Sequence, residues 1–307
     1  MGRPLRMFVP GEIYFITVRC FQRRLLLRPS ALTNELVGGV LARSVRLHGI
    51  DLFVFGFASN HLHLLVRAPA GNLPRFMQHL LTNISKKTGT LVRWRGRFWE
   101  RRYSAEPVLD DVALLGRVRY IIAHGVKEGL VRRCREWPGL SALRMLWTGR
   151  PRVFRWFNWT RQSMAGSSNG AGHPFDQRWS EQESLELAPL PVPGLRDLRS
   201  LRRFLRSATR EIEAEAARAF ASVLGVRGVL RQHPHRRARP REQTTRPPCH
   251  TSVPALLQAF RERYRSFVAA FREASEKWKR GEFGTPFPDH AFRPFVWPEG
   301  PPARLAA

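Results

Sequence analysis

Read for the alternation of hydrophobic and polar positions, residues 11–123 divide into seven segments. Gly11–Cys20 (GEIYFITVRC) is dense in aromatic and β-branched residues and predicts a strand. Pro29–His48 places Leu32, Leu36, Val40, Leu41 and Val45 at helical spacing. Ile50–Ala58 and His61–Arg67 are two more apolar runs, separated by the tight-turn pair Ser59-Asn60. Asn72–Thr88 is helical again, with Leu73, Phe76, Met77, Leu80, Leu81 and Ile84 on one side. Arg97–Val108 predicts a fourth strand. Asp110–Ala123 opens on two carboxylates, which favour a helix N-terminus, and spaces Val112, Leu115, Val118 and Ile122 helically. The order βαββαβα predicts an α+β fold in which an antiparallel sheet carries helices on one face.

Near Trp147 the pattern changes, dividing the chain into residues 1–148, a Gly/Ser/Pro-rich linker at 149–194 and a basic, partly helical extension at 195–307. Met164–His173 (MAGSSNGAGH) and Leu187–Gly194 (LAPLPVPG) carry the linker composition. Leu195–Leu224 and Pro254–Arg280 read as amphipathic helices. Between them, Arg227–Arg246 holds seven Arg, one Glu and two Pro, and predicts a mobile basic segment that touches phosphates without reading bases.

Composition narrows the function. With 43% hydrophobic residues and nine Trp, the chain of 307 residues can bury a core, which excludes wholesale disorder. Its apolar runs stop well short of the roughly 20 residues a membrane helix needs, so no membrane partner is expected. Glu12 interrupts the only apolar stretch near the start, and no secretory signal is expected. Lys+Arg 52 against Asp+Glu 24 gives a net charge of +28, which attracts polyanions, nucleic acid foremost. Codon bias can explain why only five of the cations are lysine, but it does not explain the shortage of acids. Cys20, Cys134 and Cys249 form neither a disulfide framework nor a CxxC pair, which suits a reducing cytoplasm.

The candidate chemistry lies in Asn60-His61-Leu62-His63-Leu64-Leu65-Val66. Strand residues i and i+2 face the same way, so His61 and His63 project side by side, close enough to share a metal ion. A pair of half-exposed sheet histidines without a ligand has the same pattern. Tyr120 and His124 are i and i+4 on one helix face, where His124 could supply a third ligand and Tyr120 a nucleophile for a polarised phosphate. The bland alternatives are a core aromatic and a helix C-terminal cap. Three neutral imidazoles suit a transition ion better than Mg²⁺, which prefers oxygen. Tyr103 is the rival nucleophile, with packing or base stacking as its alternative use. Trp94, Arg95, Arg97, Phe98, Trp99, Arg101 and Arg102 interleave aromatics with cations, as a base-stacking, phosphate-tracking surface does. A strand with an aromatic core face and a solvated basic face reads the same way. Arg19, Arg23, Arg24, Lys86 and Lys87 are further phosphate candidates, and Asn60 shapes the turn before His61.

NHLHLLV, GRFWERRY, and VRYIIAHGVKEGLV followed by EWPG together resemble the single-tyrosine HUH transposases, most nearly the REP-associated tyrosine transposases, over about residues 5–148. The resemblance implies a ferredoxin-like fold. It implies nicking of single-stranded DNA beside a hairpin with Mg²⁺ or Mn²⁺, through a covalent 5′-phosphotyrosine that another 3′-OH later displaces. His61 and His63 match the metal pair and Tyr120 the nucleophile. His124 stands where the family has Asn or Gln, and the usual Asn-Pro has become His124-Gly125, so the third ligand and the metal preference depart from the pattern. A bacterial, cytoplasmic, nucleoid-associated enzyme is the expectation, with DNA as its partner and a homodimer left open. The alternative from another class is a domesticated nucleic-acid-binding protein that keeps the fold without turnover. A zinc-stabilised structural domain fits less well, because no cysteine stands near the histidines to close the coordination.

Overall fold

The computed structural model describes residues 5–165, 174–238 and 247–291. Its elements in chain order are β1 (Ile13–Arg19), α1 (Ala31–His48), β2 (Asp51–Ala58), β3 (His61–Arg67), α2 (Leu73–Leu91), β4 (Ser104–Val108), α3 (Asp111–Ile122), α4 (Leu143–Thr148), β5 (Arg152–Phe157), α5 (Trp159–Met164), β6 (Ser180–Leu185), α6 (Leu198–Ala219), α7 (Gly225–Arg231) and α8 (Pro254–Lys279). The first seven follow the expected βαββαβα order. Strands β1 to β4 form one antiparallel-paired sheet in the order β2-β3-β1-β4, the ferredoxin-like arrangement. None of the described helices is long and apolar enough to cross a membrane.

Local signals set the helix ends. Ser30 accepts a hydrogen bond from the Thr33 amide at the start of α1, and Gly49, with φ at 57°, ends it in the left-handed conformation. Asp110 caps α3 by accepting from the Ala113 amide. The crossover helices α1 and α2 pack against each other and form the predicted helical layer. Helix α3 returns after β4 to cover the face that carries His61 and His63, so both faces of the sheet are buried. Ile16, Phe55, Leu62 and Leu64 are fully buried in the resulting core.

Three stretches differ from expectation. The fourth strand begins at Ser104, not Arg97, because Arg93 (φ 52°) and Gly96 (φ +97°) turn the chain away and leave Trp99 with a single bridge to Cys20. The expected linker at 149–194 contains a two-stranded ribbon, β5 paired with β6, although part of it (166–173) lies outside the described residues. The ribbon is seated on α1 at Gly38-Gly39. A Cβ on Gly38 would come within 2.3 Å of the Phe154 ring, and one on Gly39 within 2.1 Å of the Arg155 carbonyl oxygen. Arg43 bridges Glu181 and Glu183 at 2.8 Å each, and Arg46 reaches Glu183 at 2.8 Å. Buried Phe154, Phe157 and Leu185 supply the apolar contact that a free linker would lack.

The basic segment is likewise docked over residues 227–238; residues 239–246 lie outside the described residues. The Leu25 amide donates to the Arg236 carbonyl, Ala238 to the Arg23 carbonyl, and Arg24 to the His235 carbonyl. Both edges of the main sheet are occupied by the chain itself. On β2 they meet Leu140–Ala142 and Ala188, with Phe57 donating to Leu140, Ala142 to Phe55 and Ala188 to Leu52. On β4, His250 donates to Pro107 and accepts from Leu109.

Candidate metal and nucleophile site

His61 and His63 alternate with Leu62 and Leu64 on β3, so the leucines enter the core and both imidazoles face α3. His124 follows the last turn of α3 and points back at them. The three imidazoles can each offer one nitrogen, all within 4.8 Å of one another. Ring centroids lie 4.9 Å apart for His61–His63, 5.0 Å for His61–His124 and 4.7 Å for His63–His124. The approach of His124 depends on Gly56, which stands opposite His63 on β2: a Cβ there would lie 2.9 Å from His124 Nδ1.

Neighbours fix which nitrogens face inward. Asn60 Oδ1 lies 2.7 Å from His61 Nδ1 and can only accept, which places the His61 proton on Nδ1 and leaves Nε2 a lone pair. Thr17 Oγ1 contacts His63 Nδ1 at 2.8 Å. His61 Nε2 then meets His124 Nε2 at 3.2 Å, while His63 Nε2 and His124 Nδ1 are buried without a hydrogen-bond partner. Leaving a buried polar atom unsatisfied costs about 1–3 kcal/mol. Burial first, and then the neighbouring histidines, holds His63 well below the ordinary histidine value. Burial, His61 and Lys127 do the same for His124. Burial thus favours the neutral forms of His63 and His124, and the three rings bring one nitrogen each to within 4.8 Å of the others. This donor set fits a divalent transition ion.

Tyr120 stands at the edge of this cluster, 36% exposed, with its ring 5.2 Å from that of His63 and 6.2 Å from that of His124. Lys127 Nζ lies 3.1 Å from the Tyr120 ring centroid, and the Arg117 guanidinium sits 5.2 Å from it, also facing Phe15. Partial burial pushes the Tyr120 hydroxyl up, Glu128 adds to this, and Arg117 and Arg19 oppose it. Tyr103 is 7% exposed beneath Arg6, whose guanidinium lies 3.8 Å from the ring. That burial sets the rival nucleophile apart from Tyr120.

The proposed DNA-binding residues separate into groups. Lys86, Arg97, Trp99, Arg101 and Arg102 line one cleft of about 910 Å³, together with Arg93, Trp94, Arg95 and Phe98 and no carboxylate. Trp99 donates to the Leu81 carbonyl, which fixes its ring at the rim. Arg19 is exposed at the end of β1, beside the Tyr120 site. Arg23 and Arg24 are half-buried where residues 236–238 dock, and Arg24 packs 4.9 Å from the Trp94 ring. Lys87 is corrected outright. It is 3% exposed, donates to the Phe157 carbonyl, and lies under Trp156 and Trp159 at 4.5 and 4.3 Å, so it holds the ribbon and does not face a ligand.

Reading the sequence missed Thr17, Gly56, Arg117 and Lys127 as neighbours of the cluster. Lys127 had a visible signal, since residues 120, 124 and 127 share a helical face even though α3 ends at Ile122.

No family model matches the sequence, and no curated protein does. Among the solved structures similar to it are the following two. One, of a REP-associated tyrosine transposase bound to a REP hairpin, is 17% identical and aligns over 59% of this chain and 98% of its own, with a TM-score of 0.41. The other, a provisionally assigned transposase from Deinococcus radiodurans R1, is 18% identical over 39% of this chain and 95% of its own, with a TM-score of 0.29.

Proposed function

We propose that this chain nicks and rejoins single-stranded DNA at hairpin-containing repeats, as a metal-dependent transposase working through a covalent 5′-phosphotyrosine. The observation that carries this reading is the half-exposed Tyr120 phenol beside a cluster of three imidazoles with one nitrogen each within 4.8 Å of the others. Of the two family metals, Mg²⁺ and Mn²⁺, the all-nitrogen set of His61, His63 and His124 would better hold Mn²⁺, which would supply charge stabilisation and polarisation of a scissile phosphate.

The chain's own groups account for the rest. Tyr120 Oη attacks phosphorus, the new O–P bond forms as the P–O3′ bond breaks, and the 3′ oxygen leaves to become a hydroxyl with a proton from solvent. The phenol gives its own proton to solvent as it attacks, which the nearby charges of Arg117 and Arg19 assist by favouring phenolate. Rejoining is the reverse displacement by an incoming 3′-OH, so no external energy source is required. The cleft of Arg93, Arg95, Arg97, Arg101 and Arg102 carries strand phosphates, and Trp94 and Trp99 offer faces for unpaired bases.

The test is incubation with labelled hairpin DNA and Mg²⁺ or Mn²⁺, followed by denaturing electrophoresis. A protein–DNA band is expected that disappears with EDTA and in Tyr120→Phe, while the variant's DNA affinity stays within a few-fold. Tight binding without any adduct, across metals and a randomised hairpin pool, would instead identify a non-catalytic binder.

A further inference from the structure

The C-terminal extension returns to the nucleophile helix from residue 249 onward. His250 adds to the free edge of β4 by two backbone hydrogen bonds, 2.8 Å to the Pro107 carbonyl and 2.9 Å from the Leu109 amide. The next two residues close on the N-cap of α3. Thr251 Oγ1 donates to Asp110 Oδ2 at 2.6 Å, and Ser252 donates from its amide at 2.7 Å and from its hydroxyl at 3.0 Å. The same carboxylate caps α3 through the Ala113 amide at 2.8 Å. Although partial burial pushes Asp110 up, these hydrogen bonds bring it down to about 2.

The His250 side chain turns onto the sheet face that carries the candidate site. Its Nε2 lies 3.1 Å from Glu106 Oε2, with the two side chains only 9% and 10% exposed, and its ring meets the Phe15 edge at 5.4 Å. Phe15 stacks on His63 at 5.0 Å and meets Tyr120 at 5.7 Å. The Glu106 charge is felt at both Arg117 and Tyr120. A buried carboxylate is costly unless paired, so the His250–Glu106 contact has a reason to persist.

We propose that residues 250–252 are a clasp that sets Tyr120 against the histidine cluster, with His250 and Glu106 as positioning residues for the nucleophile. The proposal rests on the reading of Tyr120 as that nucleophile. The clasp acts at two ends. Asp110 anchors the first turn of α3, and His250 holds Glu106 and Phe15, the groups beneath Arg117 and Tyr120. Loosening either end lets the phenol wander, and a displacement near 1 Å from the attacking geometry can cost about 100-fold in rate.

The test uses the full-length chain carrying His250→Ala, His250→Gln, or Thr251→Val with Ser252→Ala. The paired variant lies at the surface and covers the case in which His250→Ala does not fold. Three quantities are measured: amide exchange over residues 111–116, acetylation of Tyr120 by N-acetylimidazole, and single-turnover adduct formation at saturating hairpin DNA. Exchange is expected to rise about tenfold or more in the paired variant. Tyr120 acetylation should change in His250→Ala and return towards wild type in His250→Gln, whose amide can still donate to Glu106. Adduct formation should slow about tenfold or more with DNA affinity unchanged. Unaltered α3 exchange together with unaltered Tyr120 acetylation overturns the clasp, whatever the adduct assay gives. A wild-type chain that makes no adduct overturns the proposed function instead, and exchange and acetylation still decide the clasp.

Discussion

Position 56 shows how little room the histidine cluster has. The nearest atoms to a Cβ there are His124 Nδ1 at 2.9 Å and Ile121 Cγ2 at 3.0 Å, so Gly56→Ala must displace one or the other. The expected outcome is Mn²⁺ affinity reduced about 10-fold or more, read by calorimetric titration, with an unfolding midpoint lowered far less than by a large core truncation. The protonation of these imidazoles gives a second expectation. His63 and His124 are held below the ordinary 6.5, by burial before anything else. Below that pH the unfolded chain binds protons that the folded one refuses, so the stability present above 6.5 is lost as pH falls through it. The metal-free protein should lose thermal stability from pH 7.5 to 5.5, and His63→Gln should flatten that dependence. Lys87 provides a contrast, since burial and then Arg43 bring it down to about 8. Lys87→Met should leave DNA affinity unchanged where Lys86→Ala weakens it at low salt, measured by fluorescence anisotropy.

Among the elements, β5 on α1 gives the sharpest expectation. Gly39 meets backbone, which cannot yield as a side-chain tip can, so Gly39→Ala should cost about 1–3 kcal/mol in a denaturant titration by overpacking. Truncation of the fully enclosed ring in Phe154→Ala should cost about 3–5 kcal/mol. This interface also marks where sequence reading runs out. The strands β1 and β2 are largely apolar runs because both of their faces are covered, and α1, α2 and α3 carry apolar spacing of their own, with side-chain N-caps on α1 and α3. Each is decided by residues within one segment. The β6 sequence Ser180–Leu185 (SEQESL) reads as polar loop because its glutamates find their partners on α1, about 140 positions earlier in the chain. Spacing puts Tyr120 and His124 on one helix face and leaves open whether that face meets His61. The contact of Asn60 with His61 is not legible either, because a turn residue and a tautomer-fixing residue look alike until the ring nitrogen is located.

At the scale of the whole molecule, charge and chain return dominate. A net charge of +28 predicts steep salt dependence of DNA binding, and the cleft concentrates cations where a strand would pass. For single strands each neutralised phosphate contributes about 0.7 to the slope of log affinity against log salt. Replacing Arg93 and Arg95 with Gln should therefore flatten the slope by about 1.4 if both touch phosphate. The same substitution should not alter adduct formation once DNA is saturating. The extension is tied into this design by contacts at sequence separations of 141 and 142 residues, which local pattern cannot report.

The capped edges of the sheet bear on how the protein is made. A strand edge left open is a template on which another chain can add. During synthesis β4 is complete long before His250 emerges, and β2 waits for Leu140–Ala142 and then Ala188. A nascent or truncated chain ending near residue 148 would present the unclosed β4 edge to its neighbours. Such a fragment should self-associate at concentrations where the full-length protein stays dispersed. The late residues thus act as an internal chaperone for the early ones, shielding the sheet from copies of itself.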